Sequence, residues 1–436
     1  MSESGGTGAR GRSLLRAFRH RNYRLYFAGQ LVSLTGLWMQ SVAQSWLVYR
    51  LTGSAVMLGL VGFAGQIPVF VLASVGGAVA DRRDRRRILV VTQTCALALA
   101  LSLAALTLAG RVEVWHVFVF AAINGLVNAF DIPTRQAFVV DLVGRDDLMN
   151  AIALNSSMFN GARVVGPAVA GLLVAWVGEG WCFLINGVSY VAVVAGLLSM
   201  RVEARAGARP EGSVLSNVVE GFRFVARTAP VRALLMLLGL VSLMGMPYAV
   251  LMPIFADRIL GGGVGGLGLL MGASGVGALA GALSLAARQG LRGLGRWVAL
   301  SSAGFGAALI LFSQSRTFWL SALLLVPVGF AFMIQMASSN TLVQAMAPDH
   351  LRGRVMAVYS MVFMGMAPFG ALLAGTLANR VGAPTTLVIG GTVCIAGAVA
   401  FGMRLPALRD EARQLIVAMQ PAGGDPTEET GGVAVK

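Results

Sequence analysis

Charged side chains are rare inside the long apolar stretches of this sequence, and the few found there are the candidates for chemistry. Asp131 and Arg135 lie four residues apart in one such stretch, so they share a face of a helix, and Arg163 interrupts the next stretch. A buried carboxylate can exchange a proton, and a carboxylate and a guanidinium at this spacing can also neutralise each other. The three residues therefore form a candidate proton-coupling or charge network, with a purely structural salt bridge as the alternative.

The sequence offers no site of the kinds that enzymes use. Its 436 residues include three histidines and three cysteines, and no G-x-x-x-x-G-K-S/T nucleotide loop. Cys95, Cys182 and Cys394 all fall in apolar stretches at no metal-ligand spacing, so we expect them to be packing residues. These observations predict no metal, no cofactor and no enzymatic activity.

Composition places these residues in a membrane protein. Hydrophobic residues make up 56% of the chain and charged residues only 12%, which is too little polar surface for a water-soluble protein of this size. A helix needs about 20 apolar residues to cross a bilayer. We therefore predict an all-α membrane protein whose twelve transmembrane helices cover residues 23–49, 54–80, 86–109, 114–140, 149–177, 181–200, 233–256, 264–287, 297–314, 318–346, 353–379 and 384–403.

Basic residues indicate how the spans are oriented. If both termini are cytoplasmic, the outer loops contain only five of the 34 Lys and Arg residues, namely Arg50, Arg111, Arg258, Arg316 and Arg380. This bias is the positive-inside pattern of a multi-pass protein in the inner (plasma) membrane of a cell, with basic side chains near anionic lipid headgroups. A net charge of +15 could indicate a nucleic-acid partner. We predict none, because the basic residues are distributed over segments that the membrane separates and do not form one face.

The spans fall into two halves joined by a polar linker. We divide the chain into a cytoplasmic leader (1–22), a first six-helix bundle (23–200), a linker (201–232), a second six-helix bundle (233–404) and a cytoplasmic tail (405–436). From Val214 to Val225 apolar residues recur at helical spacing, which predicts an amphipathic helix on the membrane surface. Gly171 and Gly178 recur at the same spacing as Gly375 and Gly382, which indicates an internal repeat.

A short charged turn between the second and third spans carries a recognisable pattern. Its residues Gly77, Asp81, Arg82, Arg85 and Arg86 read G-x-x-x-D-R-x-x-R-R. This pattern resembles the signature loop of the major facilitator superfamily, except that an aspartate, at position 84, takes the place of the usual glycine. The resemblance implies two pseudo-symmetric six-helix bundles, latched together at this loop on the cytoplasmic side in the outward-open state. The alternative is a basic turn that serves only membrane topology.

The fifth span adds a second resemblance. Its residues Ala162, Gly166, Pro167, Ala170 and Gly171 resemble the antiporter motif G-x-x-x-G-P-x-x-G-G, with alanine at two glycine positions. The stretches 131–138 and 150–167 are similar to the siderophore (enterobactin) and macrolide exporter branch of the superfamily. The resemblance implies a monomer that exports a small organic compound by alternating access in exchange for protons. An importer or uniporter of a small metabolite is the alternative.

The resemblance also implies a central cavity lined by spans one, four, seven and ten. Flexible methionines and neutral amides in these spans suit a bulky amphipathic or apolar substrate better than a sugar or an inorganic anion. The candidate lining residues, chosen by their depth in the spans, are Gln40, Gln44, Asn124, Asn128, Met244, Tyr248, Met333, Gln335 and Asn340.

Overall fold

The computed structural model describes residues 16–200, 214–288, 290–291 and 293–418, and within these ranges the regular structure is helical. The first half contains α1 (Arg21–Thr52), α2 (Ala55–Arg82), α3 (Arg85–Leu108), α4 (Val114–Val143), α5 (Leu148–Val177) and α6 (Glu179–Ser199). The linker forms α7 (Val214–Arg227). The second half contains α8 (Ala229–Met244), α9 (Tyr248–Ile254), α10 (Gly263–Ala286), α11 (Leu294–Gln314), α12 (Phe318–Met346), α13 (Arg352–Val381) and α14 (Ala383–Ala418).

The predicted all-α membrane fold is confirmed, with one span less apolar than the others. Eleven segments of the described chain are long and apolar enough to cross a membrane. The first helix, α1, has 32 residues but is not among them. Its polar row, which includes Gln30, Ser33, Gln40 and Gln44, dilutes its hydropathy. Helix α1 nevertheless packs along α5 and α6 as a full member of the bundle.

Two helices differ from the predicted spans. The seventh span is interrupted after Met244 and resumes at Tyr248, and it ends in a single π-helical turn, Phe255–Ile259. Pro247 opens the second piece, because proline cannot donate to the preceding helical turn. The last helix continues to Ala418, well beyond the predicted end of its span, so part of the predicted tail is helical.

The amphipathic linker helix lies where the apolar spacing predicts it. Helix α7 packs against α13, and a Cβ added at Gly221 would meet the carbonyl of Arg354. Arg354 also forms an ion pair with Glu220. Residues 201–213, the rest of the predicted linker loop, lie outside the described ranges. The linker helix is thus seated on the second half of the molecule.

Two glycine seams join the halves, and they occupy equivalent places in the repeat. In one seam, Gly59 of α2 faces Gly375 of α13, and in the other, Gly268 of α10 faces Gly171 of α5. At each of these glycines an added Cβ would meet the backbone of the opposite helix. Close backbone approach of this kind is how helices associate in lipid.

The turn glycines that follow these seams support the same repeat. Gly178 ends α5 with a φ of 90°, and Gly382 ends α13 with a φ of 85°. Both values lie in the left-handed region that favours glycine. The repeat inferred from glycine spacing alone therefore corresponds to a repeated local structure.

The seams hold the halves together at one end only. We call the end that carries residues 82–87 the basic end, and the end that carries Gly53 the opposite end. The ring of Phe369 contacts Phe63 and Phe70 across the α2–α13 seam, with centroids 6.0 and 6.1 Å apart. Nearer the basic end, an added Cβ at Gly77 or Gly161 would find open space. The two halves therefore separate toward the basic end.

The segment before α1 docks on the start of α5 through one carboxylate. Asp147 has a nearly buried side chain that faces Arg16, Arg19 and His20, with shortest side-chain distances of 3.4, 3.1 and 2.9 Å. The hydrogen bond from His20, followed by the contacts with Arg19 and Arg16, holds the pKa of Asp147 below its ordinary value. The backbone N–H of Ala17 completes the dock by donating to the Asn150 side chain at 2.8 Å.

Replacing this carboxylate is expected to produce a pH-dependent loss of stability. A depressed carboxyl pKa adds stability above the ordinary value, near 4, and this stability is lost as the pH falls through the folded pKa. Asp147→Asn should lower the melting temperature in detergent at pH 7, and its difference from the wild type should shrink as the pH falls below about 4. Asp146→Asn, at an exposed neighbour, is the matched control. A deficit of equal size at pH 3 and pH 7 would contradict this assignment.

Candidate functional site

The charged turn at the basic end ties three helices of the first half together. Asp84 caps α3, since its side chain accepts from the backbone N–H groups of Arg86 and Arg87. Arg86 donates to the carbonyl oxygens of Leu197 and Leu198, both at 2.7 Å, at the last turn of α6. The aspartate that departs from the usual motif thus has a local role, which its position before a helix would have indicated.

Arg85 links the same turn to the end of α4. Its guanidinium donates to Asp141 at 2.9 Å and to the carbonyl oxygen of Ala137 at 3.3 Å, and it lies 3.6 Å from Asp81. The Arg85 and Asp141 side chains are only 15% and 14% exposed, so this is a partly buried, charge-assisted contact. Asp141 was not among the predicted site residues, although a carboxylate within the last turn of α4 is a usable signal.

The other predicted gating residues face the gap between the halves. Gly77 borders open space, and the Asp81 side chain is 45% exposed and pairs within its own half. Arg82 is exposed. This conformation therefore presents the predicted clasp in its unlatched form, and its role as a gate remains a prediction.

Asp131 is the centre of a buried polar network. It is 1% exposed, and one of its oxygens accepts from Thr92 at 2.9 Å and from Gln93 at 2.8 Å. Its other oxygen pairs with Arg135, one turn further along α4. Arg135 also donates to Gln30 of α1 at 3.2 Å. Three side chains thus donate to the carboxylate. The network joins α1, α3 and α4.

The structure divides the three charged candidates into two sites. The predicted pairing of Asp131 with Arg135 is confirmed, and its further partners, Thr92 and Gln93, come from α3. Among the described residues, Asp131 shares no hydrogen bond or ion pair with the charged turn. Arg163 also lies apart from the Asp131 pair.

Arg163 is held between aromatic rings. Its guanidinium lies 5.7 Å from the ring centre of Trp38 on α1 and 5.9 Å from that of Phe332 on α12. Within the described residues no carboxylate comes within the 4.0 Å of an ion pair with it. The side chain is half-buried, midway along α5, where the two halves meet. The partner expected for a charge at this depth is therefore not an acid within the described ranges.

The antiporter-like residues place α5 against two helices. An added Cβ at Gly166 would meet the side chain of Trp38 on α1, whereas the carbonyl of Pro167 and the backbone of Gly171 face Gly268 on α10. Ala162 and Ala170 are 2% and 0% exposed, and both pack among apolar neighbours. The motif therefore supplies flat surfaces for helix contact.

The predicted cavity residues separate into three groups. Gln335 is 0% exposed, and Tyr248 and Met333 are 7% and 9% exposed, so these three do not line open space here, in contrast to the prediction. Gln40 accepts a hydrogen bond from Asn186 of α6 at 2.6 Å, so it joins helices within the first half. The half-buried residues, which stay predicted lining residues, are Gln44, Asn124, Asn128, Met244 and Asn340.

At the opposite end, polar contacts close the gap between the halves. The Tyr49 hydroxyl donates to Asp257 at 2.8 Å, and Arg258 donates to the carbonyl oxygen of Gly53 at 3.1 Å. The Arg258 guanidinium also lies 5.6 Å from the Tyr49 ring centre. Arg258 was predicted to lie in an outer loop, but its partners could not be predicted, because the residues on the two sides of this cluster lie more than 200 positions apart.

Several known proteins resemble this chain over most of its length. The family described as Transmembrane secretion effector matches residues 12–430. The staphyloferrin A transporter of Staphylococcus aureus (strain NCTC 8325 / PS 47) is 25% identical over 381 residues, which are 85% of this chain and 94% of that protein. The multidrug efflux pump Tap of Mycolicibacterium fortuitum is 30% identical over 398 residues, 85% of this chain and 92% of that protein.

A solved structure shows the same fold. The crystal structure of the nucleoside transporter NupG superposes with a TM-score of 0.72 at 13% identity, covering 88% of this chain and 98% of that one. Identity this low supports the arrangement of the helices and carries no information about the substrate.

Proposed function

The chain belongs to the family of transmembrane secretion effectors in the major facilitator superfamily, and from this premise we propose that it exports a small organic compound in exchange for protons. It is a multi-pass membrane transporter and not an enzyme. The relatives named for multidrug efflux and for staphyloferrin A suggest a drug-like or siderophore-like substrate. By the positive-inside rule, we also propose that the basic end and both termini face the cytoplasm.

One-sided closure of the two halves is the observation that supports transport by alternating access, and the relatives named for efflux support export as its direction. The glycine seams and the Tyr49–Asp257 contact close the halves at the opposite end, while Gly77 and Gly161 face open space toward the basic end. With the basic end inside, this is the inward-open state, in which a substrate enters from the cytoplasm. Rocking of the halves would close the charged turn and open the opposite end.

Proton exchange would use the Asp131 network. Asp131, at 1% exposed, is the most deeply buried carboxylate of the described residues, and protonation would release Arg135 from its ion pair. Since Arg135 also donates to Gln30, the change would be felt by α1 as well as by α3 and α4. A salt bridge that only holds these helices together is the competing role for the same atoms.

Uptake into everted membrane vesicles tests the proposal. The panel contains staphyloferrin A, antibiotics and cationic dyes, and vesicles without the protein are the control. An acid-inside gradient should drive accumulation of at least one compound, and a protonophore should abolish it. Accumulation only in right-side-out vesicles would indicate an importer and overturn export, whereas gradient-independent uptake would overturn proton exchange.

A further inference from the structure

Arg163 carries a positive charge that no acid in the described part of the chain neutralises. Its recorded contacts are two aromatic rings, and no acid pairs with it in the described residues. Arg135, the other guanidinium within a span, has the Asp131 carboxylate beside it. Burying a guanidinium without an anion at this depth costs free energy. An anionic ligand would therefore bind there with a more favourable free energy than at the surface.

A second donor beside Arg163 also lacks an acceptor. The indole N–H of Trp38 is buried and has no hydrogen-bond partner among the described residues. Buried polar groups are normally hydrogen-bonded, so an unpartnered one requires an explanation. Since the Arg163 guanidinium lies over the Trp38 ring, 5.7 Å from its centre, a charged and a neutral donor belong to one small cluster.

The site lies where the two halves meet. Trp38 and Arg163 belong to the first half, whereas Phe332, 5.9 Å from the guanidinium, belongs to the second. The backbone of α5 at Arg163 also borders the seam, because an added Cβ at Gly275 would meet the Arg163 carbonyl oxygen. A group bound here would contact both halves and would be affected by their relative movement.

We propose that Arg163 and Trp38 bind the carboxylate of an organic acid whose apolar or aromatic body lies against the Trp38 and Phe332 rings. The inference rests on the proposed transport of a small organic compound, and it names the class of that compound. A carboxylate can accept from the guanidinium and the indole N–H together. The rings that now face the guanidinium provide apolar surface for the rest of the molecule. An inorganic anion would leave that surface unused.

Binding to the purified full-length protein in detergent tests the assignment. The probes are naphthalene-2-carboxylate and naphthalene-2-carboxamide, which share a ring system and differ in charge. The acid should bind at least about tenfold more tightly than the amide, as expected for a charge-assisted contact. Arg163→Gln should reduce the affinity for the acid to that for the amide, and Arg163→Lys should retain part of the difference. Trp38→Phe, which keeps a ring but loses the N–H, should weaken binding of the acid more than of the amide.

Control experiments distinguish a loss of binding from misfolding of the variant. They also distinguish failure of this inference from failure of the proposed export. Arg316→Gln removes the same charge at the opposite end and should bind both probes like the wild type, and melting temperatures verify that each variant is folded. Equal affinities for acid and amide, unchanged acid binding by Arg163→Gln, or no binding of either probe would overturn the inference. Acid-selective binding without uptake in everted vesicles would overturn export alone, and uptake of compounds irrespective of their charge would overturn this inference alone.

Discussion

Asp131→Ala is expected to destabilise the first half of the molecule by about 3–5 kcal/mol, because it leaves the Arg135 guanidinium buried without its counter-ion. Three donors lose their acceptor together, since Thr92 and Gln93 also bind Asp131. Gln30 would be the one remaining partner of Arg135 among the contacts described here. The measurement is chemical or thermal unfolding of the purified protein in detergent, beside gradient-driven uptake in vesicles.

Two further substitutions show which property of Asp131 matters. Thr92→Val removes one of the donors and should cost only about 1 kcal/mol. Asp131→Leu combined with Arg135→Met removes both charges and should recover most of the stability lost in Asp131→Ala. If Asp131→Ala were as stable as the wild type, the network would not hold these helices together.

A substitution of Asp131 can also test its role in proton coupling separately from its role in stability. Asp131→Asn keeps the shape of the side chain but cannot exchange a proton. If Asp131 carries the proton, the variant should fold and bind substrate while losing gradient-driven uptake. Uptake that survives in Asp131→Asn would leave the network a purely structural role.

Gly268→Val is expected to prevent the opposite end from closing and so to abolish most transport. A Cβ at this position would meet the carbonyl of Pro167 and the backbone of Gly171, and neither can move aside as a flexible side chain could. Overpacking of this kind costs about 1–3 kcal/mol. A cost of that size reduces the population of the closed state by about 5- to 150-fold.

The neighbouring glycine provides a matched control. Gly265 lies one turn earlier on α10, and an added Cβ there meets nothing within 4 Å. Gly265→Val should therefore transport like the wild type, while Gly268→Val loses uptake and leaves the opposite end accessible to a thiol reagent at an engineered cysteine. Equal activity of the two variants would contradict a closed α5–α10 seam as a required state.

Most of the correct predictions depend on the spacing of residues within one helix or along the chain. The pairing of Asp131 with Arg135 follows from a separation of four residues on one helix. The linker helix was found from apolar residues recurring at helical spacing, and the repeat from the positions of Gly171 and Gly375. Each of these inferences depends on residues within one helix or on a pattern copied along the chain.

Contacts between distant helices were decided only by the tertiary structure. The partners of Arg85 and Asp131 on other helices, and the rings around Arg163, come from segments that hydropathy treats alike. The depth of Gln335 in its span was inferred, but its complete burial was not.

The physical reason is that lipid and protein interior are both apolar. In a soluble protein the polar face of a helix identifies the side that faces water, but a membrane helix can be rotated about its axis with little change in hydropathy. Hydropathy and residue spacing are enough to predict that this chain forms membrane helices, which segments form them and which residues pair within one of them. The packing of the helices was needed to show which faces meet, which end is open, and that Arg163 faces aromatic rings with no acid beside it among the residues described.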